Sequence, residues 1–505
     1  MHPEIVLGPP GTGKTTTLLG LVEAELERGV APDRVAYISF TRKAADEARE
    51  RAQARFNLSA RQLPWFRTIH SLCFYALGMN SGDVFEGKRL REFGDWIGVK
   101  VSGKMSMEDG TTFGFDVGDR CLFMENLARV RGITLRQQYE MDSDDLPWSV
   151  VERVGKALAE YKRANGLYDF TDFLSMFAES EWSAQLEVLL VDEAQDLSAL
   201  QWKVVERLAS KARRVIVAGD DDQAIYKWAG AAVDHFVALP GDETVLRQSW
   251  RVPPAIQTVA NQVLAQVKTR REKIWMPRAG EEGIVRRVSS LDEIDFSTHE
   301  ETLVLARNTC FLRDDAMKLL HSEGILYGFR GGTSVRQSLV NAILDWERLR
   351  RGERIPVASV EKIYDEMKAG EGYARGHKKL PHFQDREQEV GIPELQEYAG
   401  LMVTSIWHEA LTRVTAEERV YMVKALRRGD KLLRQPAVRL STIHGSKGGQ
   451  ADHVVIMRDV AWRTYQERLI DPESEARTWY VAATRAKQKL TIVAPQTRRE
   501  RAYDI

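Results

Sequence analysis

Short apolar runs separated by helix-periodic stretches recur along the whole chain. In the first half they fall at 5–7, 35–40, 66–69, 188–191 and 215–218. In the second half they fall at 284–288, 302–305, 325–329, 438–443, 454–457 and 490–493. Strand-like runs that alternate with helices in this way predict a parallel sheet with helices covering it. Residues 16–27 show the helical part of the pattern, with Leu18, Leu19, Leu21 and Val22 on the inward side. The alternation breaks twice. From 80 to 165 the periodicity is helical with polar breaks such as 107–111, and from 341 to 434 the chain is charged, helical and punctuated by glycine. The prediction is an α/β protein with two parallel-sheet cores, each carrying a mostly helical insertion. There is no repeat at solenoid spacing and no low-complexity tail.

Composition changes this picture little. At 505 residues, 43% hydrophobic and 29% charged, the chain has ample core for several domains. No run of about eighteen apolar residues occurs, so no membrane partner is expected. A glycine-rich turn starts at Gly8, too early to follow a signal peptide. Cys73, Cys121 and Cys310 are isolated, which points to a reduced cytoplasmic compartment and away from zinc or iron–sulfur sites. Lys and Arg total 72 against 73 Asp and Glu, so no global basic field advertises nucleic acid. A basic groove can coexist with that balance. Basic clusters lie at 268–273, 348–354 and 427–434, each expected to be a solvated helix face or loop.

The chemistry starts at Gly8-Pro-Pro-Gly-Thr-Gly-Lys14-Thr15, between an apolar run and a helix. It matches the phosphate-binding pattern G-x-x-x-x-G-K-[ST]. Its glycines let backbone N–H groups curl around a polyphosphate, and the helix N-terminus adds partial positive charge. Gly11, Thr12, Gly13, Lys14, Thr15 and Thr16 are the nucleotide-binding candidates. Lys14 neutralises the outer phosphates, and the Thr15 hydroxyl is placed to hold Mg²⁺.

An enzyme of this kind needs a second acidic element at the end of a neighbouring strand. Leu189-Leu-Val-Asp192-Glu193 supplies it, with Asp192 assigned to Mg²⁺ and Glu193 to the attacking water. The next strand ends in Gly219-Asp-Asp-Asp-Gln223-Ala-Ile-Tyr226-Lys-Trp228. Gln223 can reach a γ-phosphate, whereas Tyr226 and Trp228 offer flat faces for unpaired bases. Aromatics in such a place are often core, but a strongly acidic turn is an unfavourable start for one.

Further blocks complete the series: Ser39-Phe-Thr-Arg-Lys-Ala-Ala45, Thr68-Ile-His-Ser71, Asp192-Glu-Ala-Gln195, Leu246-Arg-Gln-Ser-Trp-Arg251, Ser441-Thr-Ile-His-Gly-Ser-Lys-Gly448 and Trp479-Tyr-Val-Ala-Ala-Thr-Arg485. The ordered set spans nearly the whole chain and resembles superfamily 1 DNA helicases of the UvrD/Rep/PcrA type. The resemblance implies two RecA-like cores, 1–79 with 166–255 and 256–340 with 435–505, and ATP in the cleft between them. The insertions would be 80–165 and a shortened 341–434. By position, Arg251 and Arg485 resemble the family's arginines that reach the γ-phosphate, and Trp250 stands where a tyrosine usually stacks on adenine. Phe40, Tyr226 and Trp228 match aromatics lining the single-strand track. His70, Thr442, His444 and Lys447 match contacts along the strand's backbone.

Some positions depart from the family pattern. Only seven residues precede Gly8, where the family has a segment whose glutamine reads adenine, so relaxed nucleotide selectivity is expected. Gln450 stands for a ribose-binding glutamate and Ala229 for an arginine after the stacking tryptophan. The compact layout suits a phage or mobile element. The expected function is an ATP- and Mg²⁺-dependent 3′→5′ single-stranded DNA translocase and helicase, acting in DNA replication or repair. It would be a monomer that engages single-stranded DNA and the single/double-strand junction, with a loading or replication partner, in the cytoplasm of a bacterial or phage-infected cell. A non-unwinding DNA-stimulated ATPase, a protein-displacing translocase and a 5′→3′ helicase remain alternatives. A P-loop kinase would leave Arg485 and the aromatic track without a role, and the 20 residues after Arg485 leave no room for a nuclease.

Overall fold

The computed structural model describes residues 2–40, 42–103, 105–106, 113–114, 116–181, 185–497 and 499–505. The polar break at 107–111 lies outside them. Six strands form the first sheet: β1 (Glu4–Leu7), β2 (Val35–Ser39), β3 (Phe66–Thr68), β4 (Val188–Val191), β5 (Arg214–Gly219) and β6 (Asp242–Val245). Their order is β3-β2-β4-β5-β1-β6, and every pair is parallel. The second sheet holds β7 (Ile284–Val288), β8 (Thr302–Ala306), β9 (Tyr327–Phe329), β10 (Gly332–Thr333), β11 (Val438–Thr442), β12 (Ala451–Met457) and β13 (Ala486–Val493). Its order is β10-β9-β11-β8-β12-β13-β7, parallel except for the antiparallel β9–β10 pair. The molecule is thus α/β, its two large sheets being one all-parallel and one mixed, with two short antiparallel ladders besides.

The period-two geometry of a strand explains why these runs are apolar throughout. Ile5, Leu7, Ile38, Leu189 and Val191 pack on one face of the first sheet with Phe173 and Trp202. Val6, Val35, Tyr37, Val188 and Leu190 pack on the other with Leu18, Leu19 and Val22 of the helix Lys14–Glu27. The second sheet divides likewise, with Leu303, Leu305, Val454 and Ile456 on one side and Val304, Ala306, Val455 and Met457 on the other. Each such side chain taken fully from water contributes about 1.5–3 kcal/mol.

Two further clusters bury the helical segments. Phe93, Cys121, Val154 and Leu158 join the helices Lys88–Ile97, Val117–Arg131 and Trp148–Asn165. Trp346, Val360, Tyr364 and Met422 join Gln337–Arg350, Val357–Asp365 and Ala416–Arg427. Among the described residues, no helix is long and apolar enough to cross a membrane.

One expectation fails. The acidic turn after β5 is buried, with Asp220, Asp221 and Asp222 at most 1% exposed. Its counter-charges are the basic cluster expected to be solvated. Lys273 Nζ lies 2.5 Å from Asp221, 3.0 Å from Asp222 and 3.4 Å from Asp220, and Arg270 forks onto Asp222 at 2.7 and 2.5 Å. Lys273→Met is expected to cost about 3–5 kcal/mol in urea unfolding, because it strands buried carboxylates without a partner. A loss below about 1 kcal/mol would show that the cluster does not depend on it. The cluster at 348–354 does lie on an exposed face, where Arg348 pairs with Asp345 and Glu353.

Candidate functional site

Parallel strands deliver the loops that follow them to one edge, and the motif residues of the first sheet gather there. Gly8 N–H donates to the Gly219 carbonyl at 3.0 Å, which ties the loop after β1 to the end of β5. Gly11 and Gly13 have φ of +73° and +80°, a region glycine enters without a Cβ penalty. A Cβ on Gly11 would collide with Arg251, and a Cβ on Gly8 would collide with Lys14. The helix Lys14–Glu27 therefore starts with its free N–H groups beside a tightly wound turn.

Lys14 Nζ donates to Glu193 Oε1 at 2.5 Å and lies 3.6 Å from Asp192. Burial works against its ammonium, but the two carboxylates outweigh burial and raise its pKa. Asp192 accepts from the Tyr37 hydroxyl at 2.8 Å and from the Glu193 N–H at 2.9 Å, with Thr15 Oγ1 at 3.5 Å. Its pKa is raised by burial against the pull of Lys14. Glu193 occupies the left-handed region at φ +55°, a sparsely populated conformation for a non-glycine residue. Burial alone would raise its pKa, yet Lys14 and Lys447 bring it down to about 2. Thr16 is exposed beside Thr15, and Thr12 Oγ1 donates to the Pro9 carbonyl at 2.8 Å.

The segment after β6 closes over the loop. Ser249 Oγ donates to the Pro10 carbonyl at 2.7 Å and the Trp250 N–H to that of Gly11 at 2.8 Å. The Trp250 side chain stands 72% exposed, with a free π-face at the cleft. Arg251 Nε donates to Gln450 Oε1 at 2.8 Å. From the second sheet, Arg485 is almost wholly buried and uses its full fork. Nε donates to the Val481 carbonyl at 3.0 Å, Nη1 to that of Gly449 at 3.3 Å and Nη2 to Gln223 Oε1 at 2.7 Å. Burial and the neighbouring Arg251 bring its pKa down to about 9. Burial also lowers that of Arg251. Two guanidiniums that destabilise each other, facing a lysine on a phosphate-type loop, suit a polyanion. The donor set of Thr15 and Asp192 suits a hard divalent cation.

Beside this cleft lies an aromatic row. Phe40 stacks on Tyr226 with centroids 5.4 Å apart, Trp228 lies 6.4 Å beyond, and the His444 ring meets Trp228 edge-on at 6.1 Å. A cavity of about 390 Å³ opens along it, lined by Phe40, His70, Phe170, Asp196 and Tyr226. Burial brings the His70 imidazole down to about 4, so it is neutral at pH 7.

The structure brings Phe40, His70, Tyr226 and Trp228 to this cavity or its rim, half-buried. It treats three other expected contacts differently. Thr442 and His444 are 2% and 3% exposed; the Thr442 hydroxyl accepts from the Gly445 N–H at 3.1 Å, and His444 supports the aromatic row from behind. Lys447 reaches across the cleft to pair with Asp196 and donates to the Gln223 carbonyl at 2.8 Å. Gln195, for which the sequence suggests no role, is the hub between these groups. Its Nε2 donates to Glu193 at 2.6 Å and to Asp196 at 3.3 Å, while its Oε1 accepts from the Asp220 N–H at 3.0 Å. Its place at the end of the block Asp192-Glu-Ala-Gln195 was its signal in the sequence. The 427–434 cluster lies elsewhere, where Arg428, Lys431 and Arg434 line a cavity of about 730 Å³.

Comparison with known proteins places the chain beside DNA helicases. Residues 1–243 match the UvrD/REP helicase N-terminal domain, and residues 437–493 match the UvrD-like helicase C-terminal domain. The chain is 24% identical over 331 residues to the ATP-dependent DNA helicase PcrA of Staphylococcus epidermidis. It is 25% identical over 331 residues to the protein of the same name from Staphylococcus aureus. Each alignment covers 59% of this chain and 43% of the relative, so the chain spans less than half the length of the relatives it matches. With both family domains matched in order, one on each sheet, the chain belongs to the UvrD/Rep helicase family.

Proposed function

We propose that the chain is an ATP-driven 3′→5′ single-stranded DNA translocase and DNA helicase. The observation that carries this reading is the meeting, at one cleft, of the Lys14 loop, Asp192 and Glu193 from the first sheet with Arg485 from the second. In this reading, Gly11 to Thr16 hold the phosphates, Trp250 stacks on the base and Gln450 faces the ribose. Thr15 and Asp192 hold Mg²⁺, which would screen phosphate charge. Glu193 polarises the water, and Gln223, Arg251 and Arg485 sense the γ-phosphate. Residues 1–79 with 166–255 and 256–340 with 435–505 act as the moving cores, with 80–165 and 341–434 as their insertions. Closure and reopening of the cleft would pass bases along Phe40, Tyr226 and Trp228. The DNA substrate is a single strand with its duplex junction, bound by a monomer in the cytoplasm.

The deciding experiment combines DNA-stimulated ATP hydrolysis with unwinding of 3′- and 5′-tailed duplexes. Unwinding from a 3′ tail alone supports the proposal, and unwinding from a 5′ tail alone reverses the polarity. Stimulated hydrolysis without unwinding makes the protein a protein-displacing or remodelling translocase, and hydrolysis indifferent to DNA overturns the reading.

The track has its own test. Trp228→Ala is expected to cost about 1–3 kcal/mol of single-strand affinity, the worth of one base–aromatic stack. The salt slope of binding should stay nearly constant, since no phosphate contact is removed. Trp228 is half-buried against His444, so thermal melting must accompany the binding curve. A large fall in melting temperature with lost basal hydrolysis would assign the residue to the core instead.

A further inference from the structure

The ion pair of Lys447 with Asp196 crosses the cleft between the sheets and ends one residue from the hub that holds Glu193. Lys447 Nζ engages Asp196 Oδ2 and the Gln223 carbonyl, and lies 4.9 Å over the Tyr226 ring. It thus sits between the aromatic row and the hydrolytic centre. Asp196 is 2% exposed, and its Oδ1 has no hydrogen-bond partner among the described residues. Burial lifts its carboxyl to about 6 despite Lys447, so it depends on every donor it keeps. The nearest alternative donor is Gln195 Nε2, already 3.3 Å from Asp196 Oδ2 and shared with Glu193 Oε2 at 2.6 Å. Glu193 is meanwhile loaded on both oxygens, by Lys14 and by Gln195.

We propose that Asp196 and Gln195 are positioning residues that couple the DNA track to hydrolysis: Asp196 holds Lys447 until a DNA phosphate takes it, then draws Gln195 away from Glu193. This rests on the reading of Lys447 as a strand contact and of Glu193 as the base. Lys447 trades one anion for another, and buried Asp196 loses the ammonium paired with it. Gln195 Nε2 then shifts its shared hydrogen bond toward Asp196. One oxygen of Glu193 is freed for the water, and nucleotide phosphates occupy Lys14. Bound DNA thereby loosens the hold of Gln195 on Glu193 without touching Glu193.

Two substitutions pull the coupling in opposite directions. Lys447→Met leaves Asp196 without its ammonium even when DNA is absent. It should weaken single-strand binding and raise DNA-free ATP turnover about tenfold. Asp196→Asn frees Lys447 and no longer draws Gln195. It should tighten nucleotide-free binding of a dT oligonucleotide about tenfold while abolishing stimulation by DNA. A purely structural ion pair would make both variants lose affinity, turnover and melting temperature together. Unchanged or lower DNA-free turnover in Lys447→Met overturns the proposal, as does weaker oligonucleotide binding in Asp196→Asn. If the unsubstituted protein binds no single-stranded DNA, the parent reading fails instead, which the same titration shows first.

Discussion

Glu193→Gln is expected to bind nucleotide nearly as well as the unsubstituted protein while turning it over about 10²-fold more slowly or worse. The amide keeps the shape of the side chain and can still accept a hydrogen bond from Lys14, which now reaches Glu193 at 2.5 Å. It cannot take a proton from water. Nucleotide affinity should hold because the phosphate contacts come from the loop, the helix N-terminus and Lys14 itself. The fold is not at stake, as Glu193 is half-buried at its side chain and lies outside the packed clusters. Binding of a fluorescent nucleotide and steady-state hydrolysis, measured on the same preparation, give the two numbers. Turnover within threefold of the unsubstituted protein would remove Glu193 from the hydrolytic role and leave Asp192 to be tested in its place.

How much of this was legible in the sequence depends on what each residue needed from afar. The strands at 5–7, 188–191 and 215–218 were visible because both faces are covered, which makes the run apolar throughout. Asp242–Val245 was not, because an edge strand is recruited by backbone pairing to Glu4–Leu7 alone and reads as polar. The acidic turn at 220–222 looked solvated because its counter-charges, Arg270 and Lys273, come some fifty positions later. Neither run carries a local signal of the other. Motif spacing gave the register of Thr442, His444 and Lys447 but not which way they face. The first two are turned inward by the short helical turn His444–Ser446, and the third is captured by Asp196 on the other sheet. Gln195 was invisible as a hub because Asp220, which joins its sequence neighbours Glu193 and Asp196 around it, arrives only after the two strands pair.

Arg485→Ala is expected to abolish DNA-stimulated hydrolysis, a loss on the order of 10³-fold, with single-strand affinity nearly unchanged. Arg485 stands in the second sheet's unit yet donates to Gln223 of the first, so it is the group whose position reports cleft closure. Its neighbour Arg251 and its burial make its charge costly, with the pKa brought down to about 9. That cost falls when a phosphate arrives, so the interaction is strongest as negative charge builds on the transferred group. Arg485→Lys should rescue poorly. The guanidinium serves Val481, Gly449 and Gln223 from three nitrogens at once, and an ammonium on a flexible stem cannot keep that orientation. Because the side chain is buried, a truncation also leaves a cavity, and the lysine variant keeps the test independent of folding. If Arg485→Lys melts like the unsubstituted protein yet remains inactive, geometry and not charge alone is what the site requires. Full hydrolysis in that variant would show that any cation at this position suffices, and the fork would then serve only to pin Gln223 and Gly449 across the cleft.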